Sequence, residues 1–167
     1  MKKNFLFLII LLFSLSGCSQ SQSNVNNSYE IIKGTSTLSY YDAEENIDIE
    51  GFTILERTFD NVMGMRSQGE NSIIVSDGTI RCIYIVDEDI ITYKEISVGD
   101  KIDKIKETFN NEFQGDDYYM VLFNGNIEED SSNQNKDDSW IWILYYTDGS
   151  QITSIEICDV LFGTMLK

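Results

Sequence analysis

The chain has 167 residues, with 12 basic against 28 acidic side chains, a formal net charge of −16, no histidine and no proline. A surface this acidic argues against nucleic-acid binding, which needs clustered Lys and Arg to displace counterions. The lack of imidazole removes the commonest general base, the usual Ser and Cys catalytic arrangements and imidazole metal sites, so that carboxylates, Lys, Tyr and thiols remain for chemistry.

The chain starts with Met1-Lys2-Lys3, continues with an apolar run over residues 5–15, and reaches Leu15-Ser16-Gly17-Cys18. The run is shorter than the roughly 20 residues a membrane-spanning helix needs. It has the length of a signal-peptide core and is set aside from fold reasoning. These residues together resemble the signal peptide of a bacterial lipoprotein. The resemblance implies that residues 1–17 are removed and that the Cys18 thiol carries a diacylglyceryl group. The protein would then be lipid-anchored to the cell membrane on its extracytoplasmic face, or to an outer membrane in a Gram-negative cell. Two acyl chains suffice for stable anchoring. The alternative is a plain secretory signal with an incidental cysteine, or a short internal anchor.

Residues 19–28 are Ser, Gln and Asn with one Val. With Cys18 they read as a flexible tether, whose ten residues span about 17 Å. Residues 29–167 are long enough for one domain with a real core. Their first part, 29–50, is mixed and acidic, with Tyr40-Tyr41 and Ile47 to Ile49 as candidates for a short first strand.

From about Leu55 the pattern repeats. Leu55 to Val62 lies over Val98 to Ile105, and Asp77 to Ile85 lies over Asp148 to Ile157, which divides the domain into units of about 51–95 and 96–167. Each unit reads as a helix, a strand, an Asp-Gly turn and a second strand. The first helix would carry Phe59, Val62, Met63 and Arg66 on one face, weakened by Gly64. The second would be capped by Asp100 and would bury Ile102, Ile105, Phe109 and Phe113. Residues 72–76 and 79–86 flank Asp77-Gly78, and residues 140–147 and 151–158 flank Asp148-Gly149, as two hairpins. Residues 118–123 read as a further apolar stretch, and the polar, acidic run 124–139 as a surface loop. The expected fold class is therefore α+β: two helix-plus-β-hairpin units sharing an antiparallel sheet, with helices on one face against Ile83, Ile85, Ile155 and Ile157.

The helix start Ile96-Ser97-Val98-Gly99-Asp100 and the Asp-Gly hairpins are similar to the αβ repeat of the beta-lactamase-inhibitor-like fold and of small outer-membrane assembly lipoproteins. The likeness covers about residues 51–159. It implies a curved sheet backed by helices and an activity of binding proteins, and it transfers no site residue.

A three-residue turn at Asp148-Gly149-Ser150 would direct Ile141, Ile143 and Tyr145 to the core with Ile155 and Ile157. Trp140, Trp142 and Tyr146 would then point the other way, with Ile80, Cys82 and Tyr84, as an aromatic face open to a partner. A one-residue slip would reverse this and set both tryptophans against the helices. Cys82 and Cys158 are the thiols left once Cys18 is lipidated. They form either one disulfide or two small buried side chains. The acidic clusters at Asp87 to Asp89, Asp116-Asp117, Glu128 to Asp130 and Asp137-Asp138 lack the Asp-x-Asp-x-Asp-Gly calcium pattern and read as solvated loops. No pattern calls for a metal or another cofactor. The expected role is a non-catalytic module that binds a protein or an envelope polymer. The rivals are a carboxylate-dependent envelope hydrolase and a structural surface lipoprotein without a specific ligand.

Overall fold

The computed structural model describes residues 29–56, 69–110, 112–124, 127–129 and 140–159. Cys18, the tether, the expected first helix with Phe59, Val62, Met63 and Arg66, and Asp137-Asp138 lie outside the described residues.

The strands are β1 (Glu30–Lys33), β2 (Ser36–Ser39), β3 (Thr53–Glu56), β4 (Ser72–Ser76), β5 (Thr79–Ile85), β6 (Ile90–Ile91), β7 (Phe113–Gln114), β8 (Tyr118–Asn124), β9 (Ile127–Glu129), β10 (Ile141–Thr147) and β11 (Ile152–Asp159). Among the described residues there is one α-helix, α1 (Ile102–Thr108). Strands β2-β1-β6 form a three-stranded sheet, and β3-β4-β5-β11-β10-β8-β7 form a large one in which β9 also pairs with β8.

Both Asp-Gly hairpins form. Ser76 pairs with Thr79 around Asp77 (φ 53°) and Gly78 (φ 71°), the left-handed pair that a two-residue turn requires. At the second turn the Asp148 carboxylate accepts from the Ser150 and Gln151 amides and the Ser150 hydroxyl, which holds it below the usual carboxylate range. The hairpins meet through β5 and β11, which run antiparallel with Ile83 opposite Ile157. Strand β3 pairs parallel with β4.

The fold class departs from the expectation. The protein is mostly sheet, in two sheets, and not a pair of helix-plus-hairpin units with helices covering one face. The helix after Asp100 is short because the backbone turns extended at Phe109 (φ −109°, ψ 153°). Phe109 still reaches the core, but Phe113 lies in β7 and is exposed. Asp100 does not cap the helix. Lys101 occupies the N-cap position, while the Asp100 carboxylate accepts from the Ser97 amide and from Lys104 Nζ, each at 2.8 Å. The three-stranded sheet contributes much of the layer expected of helices: Ile31, Leu38 and Ile90 join Ile105 and Phe109 of the helical segment against Ile73, Ile83, Ile143, Ile157 and Val121 of the large sheet. Side chains of this size each contribute about 1.5–3 kcal/mol on full burial.

A second apolar cluster comprises Ile74, Cys82, Met120, Leu122, Trp140, Trp142, Leu144 and Cys158. Its strand residues alternate with those of the first cluster, so the two clusters occupy opposite faces of the large sheet.

Candidate functional site on the second sheet face

Register explains the content of the second face. A single row crosses the sheet from Ile74 to Cys82, Cys158, Trp142 and Leu122, each directly opposite the next. The next row runs from Ser72 to Tyr84, Glu156, Leu144 and Met120. Beyond it Ser154 faces Tyr146, which faces Tyr118. Ile80 is not on this face. The register shift between Ile74 and Val75 turns it to the first core, where it is buried.

Trp140, Trp142 and Tyr146 thus lie away from Ile141, Ile143 and Tyr145, but the tryptophans do not form an open aromatic surface. Trp140 is 8% and Trp142 4% exposed. They are buried together with their neighbours Leu122, Leu144 and Ile74. Tyr84 and Tyr146 are half-buried.

The open part of this face is its Tyr146 end. The Tyr146 and Tyr118 rings lie 6.3 Å apart, and Tyr118 lies 6.3 Å from Phe113, which is 46% exposed. These spacings are within the range of favourable aromatic pairs. Gly115 makes room for the run, since a Cβ there would come within 2.5 Å of the Tyr118 ring. The Tyr146 hydroxyl donates to Glu156 Oε2 at 3.3 Å. Tyr118, Phe113 and Glu156 were not singled out by sequence reasoning. Phe113 reads there as a helix residue, and Tyr118 as the start of a further apolar stretch. The signal for Glu156 is its place two residues before Cys158, which puts it on the same face.

The buried centre of the face holds Cys82, Glu156 and Cys158, whose ligand-type atoms all lie within 4.8 Å of one another. These are the described residues that could hold a soft cation, since thiolate sulfur and carboxylate oxygen are zinc-type ligands. The thiols are not bonded to each other. Burial, a hydrogen bond with Cys82 and the nearby Glu156 charge push the Cys158 thiol well up. It is therefore protonated at neutral pH and a poor nucleophile.

Two polar clusters serve the first face. Tyr40 donates to Asp159 Oδ2 at 2.7 Å, and Arg81 lies 3.5 Å from the same oxygen. Burial and the Asp159 charge push the Tyr40 phenol far above the usual tyrosine range. Asn71 is the second node. Its amide donates to Asp87 at 2.7 Å and to the Gly51 carbonyl at 3.2 Å, and its oxygen accepts from the Val86 and Asp87 amides. Lys33 donates to Asp87 at 2.9 Å, so this acidic cluster is ion-paired, tying β1 to the connection between β5 and β6. Hydrogen bonds from Lys33 and Asn71 hold Asp87 below its ordinary value.

No family model, no curated protein and no solved structure matches the chain. The functional reading therefore rests on the residues themselves.

Proposed function

We propose that this chain is an extracytoplasmic lipoprotein, anchored by a diacylglyceryl group on Cys18, whose body is a non-catalytic module binding a protein or an envelope polymer. The observation that supports binding is the run of rings from Tyr146 through Tyr118 to Phe113, which passes from half-buried to exposed at the sheet edge. Aromatic side chains offer large contact area at low conformational cost and dominate binding hot spots. Tyr84 faces the same side, across Glu156. The tryptophans would back this surface rather than touch the partner. The strongly acidic chain favours a neutral or cationic ligand over an anionic polymer.

The test uses the intact lipidated protein, photo-cross-linked in its own envelope with the probe placed at Phe113. Capture of one defined species, reduced at least tenfold by Tyr118→Ser, supports the reading. Recovery of the protein alone, or capture unaffected by the substitution, overturns the binding surface. The anchor is tested separately. Cys18→Ala should release the protein to the medium or leave its precursor uncut, and unchanged membrane retention overturns the lipid assignment.

A further inference from the structure

We propose that Cys82 and Cys158 are joined by a disulfide in the mature protein, a staple across the seam between the two halves of the large sheet. The oxidising setting rests on the extracytoplasmic reading above, whereas the geometry does not.

The two residues are direct partners in the β5–β11 ladder. Directly opposed residues of antiparallel strands have Cα atoms about 4.5–5.5 Å apart, inside the roughly 4.4–6.8 Å window of natural disulfides. Both side chains lie in the same cluster and therefore on one face. Their sulfurs are already within 4.8 Å. Side-chain rotation can thus close the bond without moving the strands. A pair of cysteines in this relation is not expected of two residues chosen only as small apolar fillers.

The position has a structural consequence. In the order β3-β4-β5-β11-β10-β8-β7, the β5–β11 ladder is, among the described residues, the one strand pairing that joins the strands before α1 to those after it. A bond at Cys82–Cys158 locks that junction, and it closes a long stretch of chain.

The bond forms by exchange with a disulfide-bearing oxidant, either an exported thiol–disulfide oxidoreductase or a small organic disulfide. One cysteine thiolate attacks the oxidant's disulfide, forms a mixed disulfide and expels the oxidant's first thiolate. The second cysteine thiolate then attacks the protein sulfur of the mixed disulfide and expels the other. The protein gives up two protons and two electrons, and the oxidant leaves as two thiols. In the folded sheet both sulfurs are buried and Cys158 is held protonated. Oxidation therefore accompanies folding rather than following it.

The test isolates the full chain from cells with thiols alkylated at harvest and digests it without reduction. A single cross-linked peptide pair containing Cys82 and Cys158 is expected, lighter by two hydrogens than the separate peptides. Both cysteines recovered alkylated overturns the proposal, as does a bound metal ion whose removal by chelator exposes both thiols. The full chain bearing Cys18→Ser, refolded with oxidised and reduced glutathione, separates geometry from address. The same cross-link there supports the pairing even if the anchor reading fails, and its absence overturns the pairing outright. Reduction should lower Tm by about 10 °C in the wild type and leave a Cys82→Ser chain unmoved. Equal Tm in both redox states would also overturn it.

Discussion

The two faces of the large sheet are both buried at their centres but differently made. The first is filled by isoleucine and aromatic side chains under a second sheet, with polar clusters at Tyr40, Asp159 and Asn71 along its margins. The second buries two thiols, a carboxylate and two tryptophans at its centre and leaves aromatics at its edge. Interchangeable hydrophobes are enough to stabilise a core. A buried Glu156 beside Cys82 and Cys158 is costly to maintain and narrows what the face can be. Specific chemistry is therefore concentrated on the second face, and interchangeable packing on the first.

The largest expected effect tests whether the second face is closed. Trp142→Ala should cost about 3–5 kcal/mol in urea unfolding, as for a buried aromatic. Ile157→Ala on the first face should cost about 2–5 kcal/mol. If Trp142→Ala cost under about 1 kcal/mol, the ring would be exposed in solution and the contrast between faces would change character.

The next effect concerns the margin of the first face. Tyr40→Phe removes the 2.7 Å hydrogen bond to Asp159 and should cost about 1.5–3 kcal/mol, the range for bonds to charged groups. The same contact predicts alkaline behaviour. The Tyr40 phenol is raised in the folded state, chiefly by burial, so its contribution is complete below the unfolded value near pH 10 and is lost as pH rises beyond it. Tyr145 is raised by burial in the same sense. Ultraviolet titration should therefore show these two phenols ionising only as the protein unfolds. Smooth titration of every tyrosine in a protein that stays folded would disprove the assignment.

These faces were unevenly legible in the chain. The Asp-Gly turns with alternating flanks identify β4, β5, β10 and β11 because local backbone chemistry decides them. Parity then assigns Cys82, Trp142 and Cys158 to one side. Burial is another matter, since it depends on layers brought from distant sequence. The pair β1–β2 is short, and its turn at Gly34 (φ 59°) is a weaker signal than Asp-Gly, so the second sheet was not anticipated. Ile102, Ile105, Phe109 and Phe113 have helical spacing, yet the chain straightens after Thr108 and Phe109 packs against Tyr93, Phe123 and Tyr145 instead. Periodicity identifies residues that want burial, and tertiary contacts choose the backbone that achieves it.

The smallest effect sharpens the contrast at the sheet junction. Lys33 and Asp87 pair at 2.9 Å with side chains 20% and 44% exposed, so solvent screening limits the bridge to under about 1 kcal/mol. Hydrogen bonding from Lys33, then Asn71, lowers the Asp87 value. Its contribution is present above the unfolded value near pH 4 and is lost as pH falls through the lower folded one. Lys33 is raised, first by its hydrogen bond to Asp87, so its own contribution holds below about pH 10.5 and fades above the folded value. Lys33→Met should therefore shift the urea midpoint slightly at pH 7 and less at acid pH, as Asp87 takes up its proton. An equal shift at both pH values would mean that the lysine stem, packed beside Gly51, supplies the effect rather than the charge.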